Sequence, residues 1–154
     1  PSRRDGDVET EYKRIIAAEE IIQKIDAIKV QEQDPNIIVM GDFNDDPSSK
    51  SIQVLKEGSG LFNPMETLHI PESKGTSIYG GKWNLFDQVL VSSSFFNHEK
   101  NTHSFDTAGI FNHKSLKEKT GKYKGSPYRT FVAHKYMGGY SDHFPVYAVF
   151  TLNL

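Results

Sequence analysis

The sequence predicts an α+β fold built around one hydrophobic core. Two helical patterns lie in the first third of the chain, and three of the four apolar strand patterns follow them without another helix. A chain of 154 residues can bury roughly 70% of its unfolded surface, which is enough for one core and hardly enough for two domains. We therefore expect helices and strands segregated along a single compact unit.

The first helix is predicted over Glu9–Gln33. Its apolar side chains recur three or four residues apart, which places them on one face; they are Ile15, Ala18, Ile21, Ile22, Ile25 and Ile28. Glutamate and lysine residues occupy the other side. Asp34-Pro35 ends the helix, because a residue before proline avoids the helical backbone region.

Four strands are predicted, over Ile37–Phe43 and near residues 85–92, 104–111 and 143–152. The first and last of them are apolar without alternation, which is typical of strands that are covered on both faces. The helices of this chain can cover only one face. We therefore expect an apolar face that remains open, and an isolated chain that associates through it.

A short second helix is predicted between the first two strands. Asp46 has the residue type of an N-cap, Pro47 suits the first helical position, and the helix should stop near Gly58. Stretches rich in Gly, Pro, Ser and Lys at 60–82 and 112–139 predict loops.

Composition excludes several functional classes. The 18 basic and 20 acidic residues give a net charge of −2, which provides no general attraction to nucleic acid. The absence of cysteine excludes disulfides and thiolate zinc sites. No run approaches the ~18 apolar residues of a membrane span, and no signal peptide is visible. These features are typical of a soluble enzyme, and they leave its compartment open.

Three fragments place a chemically useful side chain at the edge of an apolar strand. Asp42 and Asn44 follow four apolar residues, and strand alternation predicts that they share one face. Asp87 stands among apolar neighbours, where a surface role is improbable. Asp142 and His143 are adjacent, so in an extended backbone their side chains point to opposite sides. One of them could then bind a metal while the other transfers a proton.

In this order, the three fragments resemble the C-terminal half of the endonuclease/exonuclease/phosphatase superfamily. They are Gly41-Asp42-Phe43-Asn44, then Asp87-Gln88-Val89-Leu90-Val91-Ser92, then Ser141-Asp142-His143-Phe144-Pro145-Val146. The similarity extends between them, through Pro1-Ser2-Arg3-Arg4, Arg14, Gly81-Lys82-Trp83-Asn84 and Pro127-Tyr128-Arg129-Thr130. It covers nearly the whole chain.

The resemblance implies half of a DNase I-like four-layer αββα sandwich, with a mostly antiparallel sheet and helices on one face. Residues 1–154 would be the C-terminal half of the domain, without the N-terminal half that carries the family's metal-binding Glu. Gln31-Glu32 looks like that missing motif, but it ends a helix where the family's pair ends a strand. The expected partner is the missing half or a second copy of this chain.

The resemblance also implies roles for five residues in hydrolysis of a phosphate ester. His143 would be the general base or a contact to the scissile phosphate, oriented by Asp87. Asp142 would be the best metal ligand, Asp42 would bind metal or position the water, and Asn44 would donate to a phosphate oxygen. Oxygen ligands suit Mg²⁺ or Mn²⁺.

Alternatives to this interpretation remain. As an isolated polypeptide the chain could be a non-catalytic folded module or a self-associating fragment. Within the enzyme class the substrate is open, and either a phosphodiester or a phosphomonoester fits. An EF-hand starting at Asp42 is excluded, because Pro47 and Gln53 replace its required Gly and Glu.

Three further groups of residues are each open to a structural or a functional interpretation. His69, His98, His103, His113 and His134 have no carboxylate partner in sequence and are expected to be structural or solvated. The basic residues between 114 and 129 predict a solvated loop more strongly than a substrate contact. Trp83 and Tyr140 flank the motifs and could stack on a substrate or pack beside it.

Overall fold

The computed structural model describes residues 1–154 as helices and antiparallel strand pairs. The α-helices are α1 (Asp7–Gln31) and α2 (Lys50–Ser59). The strands are β1 (Ile38–Asp42), β2 (Ser77–Tyr79), β3 (Lys82–Asn84), β4 (Asp87–Val91), β5 (His103–Ile110), β6 (Phe131–Val132), β7 (Lys135–Tyr136) and β8 (Val146–Leu152). β1 pairs with β4, β2 with β3, β5 with β8 and β6 with β7. Neither helix is long and apolar enough to cross a bilayer.

The helices form a layer on one side of the β1–β4 pair. Their shared core contains Ala18 and Ile25 of α1, Leu55 of α2, and Leu90 of β4. α1 begins and ends two residues earlier than predicted. Asp34 adopts a left-handed φ of 53° after the helix, which turns the chain towards β1.

The second helix begins later than the sequence predicted, so the assignment of Asp46 as its N-cap is wrong. Ser49 occupies the N-cap position and α2 starts at Lys50. Asp46 instead accepts a hydrogen bond at Oδ1 from the backbone N–H of Leu85, at 2.7 Å. Its carboxylate therefore joins the loop after β1 to the approach of β4. Gly60, at a φ of 70°, ends the helix in the left-handed conformation that favours glycine.

The β1–β4 register places two acidic residues opposite each other at one end of the pair. Asp42 faces Asp87 across the strands, and at the other end Ile38 faces Val91. The opposite face of β4 contributes Val89 and Val91 to a second apolar cluster, which packs against side chains of β5 and β8 that include Phe105, Val146, Ala148 and Phe150. β4 therefore lies between the two cores, and its apolar residues do not alternate with polar ones because both of its faces are covered.

β8 is shorter than the predicted strand over 143–152. It begins at Val146, because Ser141–Pro145 forms the loop that carries the Asp-His motif and Pro145 has no N–H to contribute to a ladder. The two predicted loops are interrupted by the short pairs β2–β3 and β6–β7.

Apolar side chains are exposed on both β1 and β8. Val39 packs against the helical core, whereas Ile38 and Met40 are 42% and 65% exposed. On β8, Val146, Ala148 and Phe150 face the core, while Tyr147 and Val149 are exposed. Association of the chain through these side chains stays a prediction.

A buried ionic cluster joins the N-terminal segment, α1, α2 and the loop after β1. Asp45 and Arg14 are only 2% and 3% exposed. Arg14 Nε donates to Asp45 Oδ2 at 2.7 Å, and Arg3 Nη2 donates to Asp45 Oδ1 at 2.7 Å. Ser51 donates to the same carboxylate from the first turn of α2. Because these charges are out of water, each depends on the others for its hydrogen bonds.

Replacement of one partner in this cluster should strongly destabilise the chain. We expect Asp45→Asn to reduce the free energy of unfolding by about 3 to 5 kcal/mol, because Arg14 would lose its buried counter-charge and keep only the more exposed Asp7. Lys56→Met removes the more exposed Lys56–Glu66 pair and should cost less than about 1 kcal/mol. Urea unfolding of the two variants provides the comparison, and equal losses would contradict this interpretation of the cluster.

Candidate active site

Asp42 and Asn44 lie at the end of β1, but they do not share a strand face as predicted. The strand stops at Asp42, and Asn44 adopts a left-handed φ of 54°. The backbone N–H of Asn44 donates to Asp42 Oδ1 at 2.9 Å, which closes a tight turn of the kind that Asp and Asn favour. The turn, and not strand alternation, brings the two residues together.

His143 and Asp87 form a hydrogen-bonded pair. The Nδ1 atom of His143 lies 2.8 Å from Asp87 Oδ2. Because an ionised carboxylate can only accept, Nδ1 carries the proton and Nε2 is left for another partner. Phe144 next to it is fully buried; its N–H donates to Thr76 O at 2.8 Å, and its ring stacks on Trp83 at 6.0 Å. The packing of Phe144 therefore fixes the position of His143.

The acidic surroundings raise the pKa of His143 above its ordinary value of 6.5. The hydrogen bond that His143 donates to Asp87 is the largest cause, and the charges of Asp87, Asp42 and Asp142 add to it. Partial burial acts in the opposite direction, because it disfavours the charged imidazolium. The net effect is a histidine that holds its proton more firmly than one in water.

Three potential metal-ligating side chains come together at this point. One ligand atom each from Asp42, Asp87 and His143 lies within 4.8 Å of the others. Asp142, which the resemblance implied as the best metal ligand, is outside this group. It is exposed and lines the same cleft as His143. All five predicted residues are therefore at one end of the β1–β4 pair or in the adjoining cleft.

The cleft has a volume of about 670 Å³ and a basic wall. Arg3, Arg4 and Arg129 line it together with Asn44 and His143. Arg3 and Arg4 belong to a stretch similar to the family, and Arg129 belongs to the basic stretch for which a solvated loop was predicted over a substrate contact. Arg129 is more than a hundred residues from the two other arginines, so only the folded chain shows that all three line one cleft.

Arg3 also holds the turn that carries Asn44. Its Nε donates to Asn44 O at 2.7 Å, and its guanidinium lies 4.6 Å from the centre of the Phe86 ring. The same guanidinium donates to buried Asp45. The left-handed turn at Asn44 is therefore fixed from two sides.

Three further sites from the sequence lie outside the cleft: Gln31-Glu32, His69 and Tyr140. Gln31 and Glu32 are exposed at the end of α1, before the strand whose far end carries Asp42. His69 does have a carboxylate neighbour in the fold, Asp46 Oδ1 at 3.6 Å, and its Nε2 donates to Trp83 O at 3.0 Å. This contact gives His69 a structural role. Tyr140 is exposed and does not line the cleft.

The fold and this site define the chain as an α+β protein of the DNase I-like class. The sequence model of the endonuclease/exonuclease/phosphatase family matches residues 1–152, and the chain belongs to that family. A search of curated proteins found no match.

Among solved structures, the chain is similar to a mannosyl-6-phosphatase of Bacteroides thetaiotaomicron. The TM-score is 0.54 and the sequence identity 17%, over 90% of this chain and 46% of that one. The likeness supports the fold. The chain thus spans about half the length of this solved relative, and its own description as the C-terminal half of a domain stays a prediction.

Removal of the charge of Asp87 should lower the pKa of His143. We expect Asp87→Asn to bring it down towards 6.5, because both the charged acceptor and its Coulombic attraction are lost. NMR titration of the imidazole protons measures this directly. The control is Asp106→Asn, at an exposed position in β5, and a pKa of His143 that is equal in both variants would contradict the assignment.

The same raised pKa predicts how stability depends on pH. Protonated His143 contributes its full stabilisation below pH 6.5, the ordinary pKa. This contribution is lost as the pH rises through the higher pKa of the folded chain. Thermal unfolding should show this loss in the wild-type chain and much less of it in Asp87→Asn.

Proposed function

We propose that this chain carries the acid–base half of an Mg²⁺- or Mn²⁺-dependent phosphohydrolase, which cleaves a phosphodiester or a phosphomonoester by in-line attack of water. The observation that carries this proposal is the 2.8 Å contact between His143 Nδ1 and Asp87 Oδ2 at the edge of an arginine-lined cleft. Phosphoryl transfer needs little more from a protein than positioning, proton transfer and charge stabilisation.

His143 can serve the reaction in either of two protonation states. As the neutral imidazole it would accept a proton from the attacking water at Nε2, with the new imidazolium stabilised by Asp87. As the imidazolium it would donate to a phosphate oxygen. The raised pKa increases the protonated fraction near neutral pH, which favours the phosphate contact in the metal-free chain.

The cleft supplies the groups that would hold the phosphoryl oxygens. Arg3, Arg4 and Arg129 provide positive charge, and Asn44 provides a carboxamide donor. Arg3 is already fixed by Asn44 O and Asp45. A group held in this way loses little freedom when a ligand binds, so it is suited to orientation of the substrate.

The acidic residues suit a hard divalent cation. Asp42 and Asp142 are exposed, and Asp42 uses only Oδ1 in the turn at Asn44. Their remaining oxygens fit the preference of Mg²⁺ or Mn²⁺ for carboxylate ligands. Asp87 is occupied by His143 and is the less suitable ligand. A bound cation would supply charge stabilisation on the phosphate oxygens.

Asp42 and Asp142 alone would form an incomplete metal site. The resemblance places a further metal-binding Glu in segments that this sequence does not contain. We propose that a carboxylate from the N-terminal half, or from a second copy of this chain, completes the site. The name of the solved relative, a mannosyl-6-phosphatase, makes a phosphomonoester one of the substrates to test.

A second candidate is a folded module without catalytic activity of its own. Ile38 and Met40 favour this candidate, because they are exposed on the face of β1 that the helices do not cover. Exposed apolar side chains of this kind often belong to association surfaces. This candidate requires no substrate in the cleft.

The two candidates differ in phosphate binding and hydrolysis by this chain alone. We expect inorganic phosphate to perturb the amide resonances of the cleft in the wild-type chain and much less in His143→Ala. Hydrolysis of bis(p-nitrophenyl) phosphate with Mg²⁺ should stay at the His143→Ala background, because the further Glu is missing. His134→Ala, on an exposed loop, is the matched control.

Each result of this experiment decides one point. Absence of phosphate binding would contradict the enzymatic proposal and favour the module. Hydrolysis by the wild-type chain and by His134→Ala, but not by His143→Ala, would show that the site is complete and would overturn the proposed need for a partner.

A further inference from the structure

A second cavity adjoins the cleft and shares part of its wall. It has a volume of about 290 Å³, and Ile78, Tyr79 and Arg129 line both cavities. Its own walls come from residues 118–137, which include Glu118, Tyr123 and Met137. The two cavities are therefore neighbours, with Arg129 in the wall of each.

Two charged side chains of this cavity have few or no partners within the chain. The carboxylate of the half-buried Glu118 makes no hydrogen bond and no ion pair. The half-buried Arg129 makes one long hydrogen bond, to Ile78 O at 3.4 Å. The two charges line one cavity without neutralising each other. Because a carboxylate is a strong hydrogen-bond acceptor, a ligand with hydroxyl donors suits the unpaired Glu118.

The rest of the wall is aromatic and apolar. Tyr79 and Tyr123 are 85% and 62% exposed, and Val132 and Met137 complete the apolar part of the wall. Exposed tyrosines offer a flat apolar face with a polar end, which suits a ring that is apolar on its faces and polar at its edge.

The backbone that presents these side chains is already ordered. Glu118 N donates to Ser126 O at 2.8 Å, and Gly125 N donates to Glu118 O at 2.9 Å. The Tyr128 hydroxyl donates to Met137 O. A preformed wall of this kind reduces the entropic cost of binding.

We propose that this cavity binds the leaving group of the phosphate ester, and that this group is a neutral sugar ring. The proposal rests on the phosphohydrolase function proposed above. Glu118 would accept hydrogen bonds from two hydroxyls, and Tyr79 or Tyr123 would pack against the ring. A second phosphate is disfavoured there, because it would approach the carboxylate of Glu118.

Binding of small probes tests this proposal without the need for hydrolysis. Dissociation constants and amide shifts would be measured by NMR for inorganic phosphate and for the 6-phosphates of glucose, mannose and galactose. We expect at least one sugar phosphate to bind more tightly than phosphate, and to perturb Tyr79, Glu118 and Tyr123 in addition to the cleft. Glu118→Gln should weaken that sugar phosphate about tenfold and leave inorganic phosphate unchanged.

Controls separate failure of this inference from failure of the proposed function. Glu72→Gln, at an exposed residue outside both cavities, should bind every probe as the wild-type chain does. Phosphate binding without any preference for sugar phosphates, or tighter binding of adenosine monophosphate, would overturn the sugar assignment and leave the phosphohydrolase proposal standing. Sugar-phosphate binding in both cavities without hydrolysis, even in a completed enzyme, would support the cavity assignment and contradict the function.

Discussion

The antiparallel register of β1 with β4 is the constraint on which the site depends. It sets Asp42 opposite Asp87, and every other candidate group is placed relative to these two. His143 bonds to Asp87, and the turn at Asn44 closes on Asp42. A shift of one residue in this register would turn the side chains of one strand to the other face and separate the acids from each other.

The buried ionic cluster around Asp45 extends this constraint from the strands to the helices. Asp45 receives hydrogen bonds from Arg3, Arg14 and Ser51, and its carbonyl oxygen accepts one from buried Gln88 of β4 at 2.6 Å. The turn next to the site is thus held by α1, α2 and the neighbouring strand together. Buried charges of this kind add little net stability to the fold. They favour the one conformation in which each charge keeps its partner.

The fold could be predicted from sequence to a large extent, whereas the roles of the site residues stay predictions. Apolar periodicity located α1 and the principal strands, and the three ordered motifs contain residues that the fold brings close to His143. Local geometry could not be predicted, because it depends on distant contacts. Asp46 has the residue type of an N-cap but bonds to Leu85, and Asn44 leaves the strand through a left-handed turn. The arginines of the cleft meet only in the folded chain.

The proposed function depends on Asp87, whose hydrogen bond to His143 Nδ1 leaves Nε2 free for a phosphate group. Nitrogen-15 NMR of the imidazole, with and without inorganic phosphate, tests it most directly. We expect Nδ1 to remain protonated throughout and the resonance of Nε2 to shift when phosphate is added. A proton on Nε2 alone in the free chain, or an Nε2 resonance that does not respond to bound phosphate, would contradict it.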